Sequence, residues 1–176
     1  MEKQVKRNEV YKGKVVSLVV DDVECNNGTP AKREIVLHNG GACIALKDDD
    51  GKFFLVKQYR YAHQIEMFEF CAGKIEKGET PDQTVEREVQ EELGYTAKNI
   101  KSFGYIIPTC GYSTEKIYLY YGEVKEKVNQ HFDEDEYMEI YKFSFNEIKE
   151  MIKENKITDA KTISLMYQLE LNGLDK

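Results

Sequence analysis

A chain of 176 residues, 41% hydrophobic and 32% charged, is long enough to bury one domain's core and too apolar to be a disordered tail. Its 25 Lys and Arg against 32 Asp and Glu leave a net charge of −7, which excludes a general nucleic-acid binder, because affinity for a phosphate backbone needs many cationic contacts. No run approaches the ~20 apolar residues of a membrane span, and residues 1–11 are polar with no signal-peptide core, so the expected location is cytoplasmic, with no membrane partner.

Residues 14–23 and 32–38 are rich in Val, Ile and Leu and flank a Cys-Asn-Asn-Gly-Thr-Pro turn, which predicts a β-hairpin within an N-terminal extension over 1–40. Residues 41–47 and 52–59 make a second pair around Asp48-Asp49-Asp50-Gly51. Residues 80–93 predict one helix, with Thr80 as N-cap, Pro81 at its first position, Gln83 completing a capping box and Gly94 as the stop. Strands are expected at 98–107, 116–124 and 138–145, a charged loop at 123–136, and helices at 146–154 and 158–171. The order lacks βαβ regularity, which places the chain in the α+β class with a mixed sheet. Cys25, Cys43, Cys71 and Cys110 form no C-x-x-C pair and read as reduced thiols.

On the 80–93 helix, Val85, Val89 and Leu93 form one apolar stripe, and Glu88, Glu91 and Glu92 collect on the adjacent face. Like charges at i, i+4 cost about 0.2–0.5 kcal/mol per pair, a liability that a cation between them removes. Hard carboxylate oxygens suit magnesium, which takes few protein ligands and keeps water and phosphate oxygens for the rest.

From Gly73 to Tyr95 the chain reads GKIEKGETPDQTVEREVQEELGY. This resembles the Nudix box, G-x5-E-x7-R-E-U-x-E-E-x-G-U, with U a large aliphatic residue: Gly73, Glu79, Arg87, Glu88, Val89, Glu91, Glu92 and Gly94 match, and Tyr95 alone departs. The resemblance implies an α/β/α sandwich with a mixed central sheet, as a domain over 41–176, and a divalent cation, magnesium with manganese as the alternative. It implies metal ligands at Glu88, Glu91, Glu92 and the Ala72 carbonyl, and an Arg87–Glu79 pair that braces the loop onto the helix.

The flanks resemble the ADP-ribose pyrophosphatase branch: Arg33-Glu34 before a strand, Gln58-Tyr59-Arg60, and Glu69-Phe70-Cys71-Ala72-Gly73-Lys74 leading into the box. That resemblance implies a homodimer formed by the N-terminal extension and a small nucleotide substrate. It assigns substrate contacts to Arg33, Glu34, Arg60, Glu69 and Glu115. It also implies a water-activating carboxylate in the later acidic loop, Glu136 first and Glu134 second, with Glu91 assisting. Cys71 and Cys110 stand where branch members often carry proline, which loosens the preset backbone there. The implied reaction is hydrolysis of ADP-ribose to AMP and ribose 5-phosphate. The alternatives are another nucleoside diphosphate sugar or a nucleoside triphosphate as substrate, or a non-enzymatic nucleotide-binding module.

Overall fold

Lys3–Lys12, to which the sequence pattern assigns no element, is a β-strand, β1, in the computed structural model, which describes residues 1–131 and 137–175. It runs antiparallel to β2 (Val16–Glu24), which pairs in turn with β3 (Pro30–His38). The predicted β2–β3 hairpin is present, closed by Cys25 N donating to Thr29 O at 2.9 Å. Strand β1 is polar because polar contacts attach it. Arg7 donates through Nε and Nη2 to both oxygens of Asp21, at 2.8 and 2.7 Å, and Gln4 adds a third bond to that nearly buried carboxylate. The predicted hairpin is thus part of a three-stranded sheet, β1-β2-β3.

These strands and Ile107–Lys116 form one unit of the chain. Within it, residues 112–114 lie against the edge of β3: Val36 N donates to Tyr112 O at 2.7 Å and Thr114 N to Val36 O at 3.0 Å. That contact closes part of an otherwise open strand edge.

The second unit, Gly41–Ile106 with Ile117–Lys176, carries the main sheet. Its strands are β4 (Gly41–Lys47), β5 (Phe53–Arg60), β6 (Ile65–Glu69), β7 (Cys71–Lys74), β8 (Tyr95–Ile106), β9 (Ile117–Lys127) and β10 (Met138–Phe143). The order is β10-β5-β4-β9-β8, with β4 and β9 parallel and the other pairs antiparallel. Strands β4 and β5 pair only at Lys47 and Phe53, beside their turn. Farther along they part, and β7 pairs with β4 while β6 pairs with β5. The segment Glu69 to Gly73 thus sits where the sheet splits.

Strict alternation along β4 sorts the core into two layers. Cys43 and Ala45 face a cluster built on α2 (Phe145–Lys153) and α3 (Ala160–Leu171). Ala42, Ile44 and Leu46 face the opposite cluster, which contains Val85, Val89 and Leu93. Those three side chains are at most 4% exposed, and burial of each contributes about 1.5–3 kcal/mol. Helices on both faces of a mixed sheet make the expected α/β/α sandwich. Tyr95, the aromatic in an aliphatic position, keeps a packing role: its ring lies 5.2 Å from that of Phe54.

The predicted caps are all formed. Thr80 and Gln83 bond reciprocally, Pro81 opens the helix, and Gly94 closes it in the left-handed region at φ +71°. One difference is instructive. The α-helix, α1, covers only Pro81–Glu88, and Val89–Leu93 is a π-helical turn. Carbonyls at its end find distant donors: His131 N on Glu91 O at 3.3 Å, Val128 N on Gly94 O at 2.9 Å, and the Gln130 side chain on Glu92 O. Partners outside the helix stabilise a turn that the local sequence does not encode.

Candidate active site

The π-turn places Glu91 and Glu92 just after the last α-helical residue, Glu88, with Glu92 against β7. Glu88 is 9% exposed and Glu92 3%, so these are not solvated surface charges. Glu92 Oε2 accepts from Ala72 N at 3.3 Å. A Cβ on Gly73 would stand 1.5 Å from Glu88 Oε1, which means that the absence of a side chain at Gly73 is what admits the Glu88 carboxylate. Ala72, Glu88 and Glu92 are thereby brought together. Cys71 is buried in β7, and burial together with the neighbouring Glu92 and Glu88 pushes its thiol well up, so it is neutral and within hydrogen-bond reach of Glu92.

Arg87 does more than the expected bracing. It reaches Glu79 through Nε at 2.9 Å and Nη2 at 3.1 Å, and the Lys74 carbonyl through Nη2 at 3.2 Å. Its Nη1 donates to Glu88 Oε1 at 2.6 Å and Glu91 Oε2 at 2.8 Å. One guanidinium nitrogen thus lies between Glu88 and Glu91, a cation beside two of the carboxylates that the sequence pattern gathers on this face. The Glu79 carboxyl is held down at about 2, chiefly by Arg87, with the Glu76 amide and the Thr84 hydroxyl helping against desolvation. The same bonds, led by that from Glu79, raise Arg87 above its ordinary value despite burial.

A second charged cluster lies at the end of β6. Arg60 grips Glu69 with Nε at 2.6 Å and Nη2 at 2.7 Å, and Lys161 from α3 contacts the same carboxylate. Lys161 also pairs with Asp159 at 2.9 Å. Asp159 is the N-cap of α3, and Thr162 Oγ1 donates to it at 2.6 Å while accepting from Phe70 N at 3.0 Å. Glu69 is 1% exposed; burial alone would raise its carboxyl, and Arg60 with Lys161 outweighs that and holds it below the ordinary range. Asp159 and Lys161 escaped the sequence reading. The sequence pattern begins this helix at residue 158; an aspartate just before Ala160 is the N-cap signal that could have marked the place.

The remaining candidates lie in the first unit. Arg33 reaches Glu2 through Nε at 3.0 Å and through Nη2, and Glu34 is exposed on β3 opposite Val20. Glu115 stands 3.6 Å from His38 Nδ1, which accepts from Gly40 N at 2.9 Å. Glu134 and Glu136 lie outside the described residues.

Among the described residues, no three His, Cys, Asp or Glu side chains already converge as a closed metal cage, and no helix is long and apolar enough to cross a membrane. The donor set of two buried carboxylates, a third beside them and the backbone carbonyl of Ala72 nevertheless suits a hard cation that keeps part of its water shell.

Residues 37–166 match the NUDIX domain family. The chain is 35% identical over 174 residues to the ADP-ribose pyrophosphatase of Bacillus subtilis, spanning 97% of this chain and 93% of that protein. It is 37% identical over 172 residues to the methanol dehydrogenase activator of Bacillus methanolicus, again with 97% and 93% covered. It is 29% identical over 167 residues to the GDP-mannose pyrophosphatase of Yersinia enterocolitica, with 88% and 87% covered. A crystal structure of an ADP compounds hydrolase superposes with a TM-score of 0.84 over 98% of this chain and 96% of that one, at 16% identity, a likeness of fold. Members of this family generally need divalent metal ions. With its helix-borne glutamates seated on the loop that the box glycine opens, and with relatives matched along nearly its whole length, the chain belongs to the Nudix hydrolase family.

Proposed function

We propose that the protein hydrolyses the diphosphate of ADP-ribose, giving AMP and ribose 5-phosphate, with magnesium, or manganese in its place, held by Glu88, Glu91, Glu92 and the Ala72 carbonyl. The observation that carries this reading is the seating of Glu88 against Gly73 beside Glu92 and Ala72, at the split in the sheet. The relative named for ADP-ribose, matched over 97% of the chain, supports the choice of substrate. When bound, the divalent ion supplies neutralisation of charge on the diphosphate oxygens.

The chain's own residues do the rest. Arg87 holds Glu88 and Glu91 in place through one nitrogen while its other nitrogens tie the helix to Glu79 and the Lys74 carbonyl. Arg60, gripped through Nε and Nη2 by Glu69, offers Nη1 to the substrate's phosphates or terminal ribose, for which a guanidinium fork is suited. Arg33, Glu34 and Glu115 serve the substrate's nucleoside and ribose ends. Glu136, with Glu134 second and Glu91 assisting, takes the proton of the attacking water as its oxygen bonds to phosphorus and the bridging P–O bond breaks. A second copy of the chain pairs through the first unit, which leaves Val5, Val10, Tyr11 and Val15 exposed.

The test is a panel of ADP-ribose, nucleotide sugars including GDP-mannose, dinucleotides and nucleoside triphosphates, incubated with magnesium and resolved by chromatography, with Glu92→Gln as control. Release of AMP from ADP-ribose that depends on Glu92 establishes the reaction. Preference for GDP-mannose or another compound removes the substrate assignment and leaves the family chemistry. Nucleotide binding without product would mark a binding module.

A further inference from the structure

The Glu69 carboxylate is among the most buried charged groups of the chain, and a single cation does not account for its surroundings. Arg60 takes both of its oxygens, and Lys161, whose side chain is only 11% exposed, takes one of them again. Lys161 is in turn fixed by Asp159, itself locked by Thr162 Oγ1 and by its role as the cap of α3. The result is a buried array of two carboxylates and two cations that joins the start of α3 to the end of β6, just before β7. Thr162 Oγ1, receiving Phe70 N, makes the same connection through the backbone.

A buried carboxylate facing one guanidinium neutralises it, and an arginine so neutralised has little left for an anion. A second cation on the same carboxylate changes that balance. Arg60 uses Nε and Nη2 on Glu69, and its side chain is 39% exposed, so the rest of the guanidinium faces outward. The array is within electrostatic reach of Glu92, where the substrate's diphosphate would lie under the reading above.

We propose that Lys161 is a positioning residue for substrate binding: anchored by Asp159, it holds the buried Glu69 carboxylate from the side of α3, so that Glu69 keeps Arg60 oriented with the outward part of its guanidinium toward the diphosphate. This rests on the assignment of Arg60 to the substrate, and it predicts a role for a residue 92 positions from Glu69 in sequence that touches no substrate itself.

The experiment compares wild type, Lys161→Met, Lys161→Arg, Glu69→Gln and the double variant Glu69→Gln/Lys161→Met. Thermal unfolding is recorded beside kcat and KM on whichever compound of the panel the wild type hydrolyses fastest. Lys161→Met should raise KM about tenfold, the size of one lost charge-assisted contact, with kcat within about threefold of wild type. Lys161→Arg should restore KM. In the Glu69→Gln background, where Lys161 no longer has the carboxylate that grips Arg60 to act through, removing Lys161 should leave KM unchanged, because paired residues are non-additive.

An unchanged KM in folded Lys161→Met overturns the proposal, as does a Lys161 effect of equal size with and without the Glu69 charge. If Lys161→Met does not fold, Lys161→Arg decides: native KM supports the proposal and a tenfold rise refutes it. A wild type that prefers another compound defeats the ADP-ribose assignment alone. If it turns over none, the dissociation constant of α,β-methylene-ADP, by calorimetry, replaces KM with the same expectations.

Discussion

Replacing Gly73 by Ala should separate stability from activity. Its added Cβ would lie 1.5 Å from Glu88 Oε1, 2.0 Å from Cδ and 2.6 Å from Cγ, and every one of these atoms belongs to one flexible side chain. The backbone can stay, and the Glu88 carboxylate must leave. Moving it to another rotamer and away from Arg87 Nη1 costs about 1–3 kcal/mol, and the stiffer unfolded chain returns about 0.4–1 kcal/mol. The net loss is on the order of 1 kcal/mol, a fall in melting temperature of about 2–4 °C for a chain of this size. Metal binding should suffer far more. Disturbing a residue that merely supports a ligand weakens metal affinity or activity by about 10–100-fold, and here a proposed ligand itself is displaced. The assay is turnover against magnesium concentration beside a melting curve, for Gly73→Ala, Glu88→Gln and the double variant. The double variant should be no worse than Glu88→Gln, since both changes remove one carboxylate from one place. A Gly73→Ala protein with native turnover and native metal dependence would show that the Glu88 seat is not part of the site.

The Glu79 carboxyl, held at about 2 by Arg87, contributes stability that is complete above its ordinary value of 4.5 and is lost as pH falls from there toward 2. Urea unfolding across that window should show a steeper acid decline in wild type than in Glu79→Gln; parallel curves refute the assignment. Glu136→Gln should lower turnover by ~10² or more with metal dependence unchanged, on the usual size of a general-base contribution; normal turnover moves the role to Glu134 or Glu91. Sedimentation at micromolar concentration should give twice the chain mass, and a single-chain mass rejects pairing through the first unit.

What could be read from the sequence was what short spacing encodes. Thr80, Pro81, Gln83 and Gly94 act within a few residues of themselves, and Val85, Val89 and Leu93 reveal their face by period alone. Strand β1 was missed because it buries no apolar stripe: its attachment is a backbone ladder and the Arg7–Asp21 pair, for which hydrophobic alternation is no signal. Strands β6 and β7 are short, and they exist because β4 and β5 part company, a fact of the sheet and not of residues 65–74. The π-turn depends on donors from residues 128–131, and the cover on Glu69 on a lysine near the C-terminus. Each missed feature is one whose partner is distant.

The two charged clusters differ in balance, and that difference sorts their roles. Glu79, Glu88 and Glu91 all reach one guanidinium, that of Arg87. The divalent ion of the proposed function would bring further positive charge to these carboxylates. Glu69 and Asp159, by contrast, are matched one for one by Arg60 and Lys161. A balanced array attracts no ion, yet it leaves a guanidinium at the surface that an anion can use. Under the proposed function, the first cluster would hold the cation and the second would meet the phosphates. The proposed cleavage of a diphosphate needs both, and on the inference above Lys161, anchored by Asp159, keeps the Glu69–Arg60 pair of the second in place.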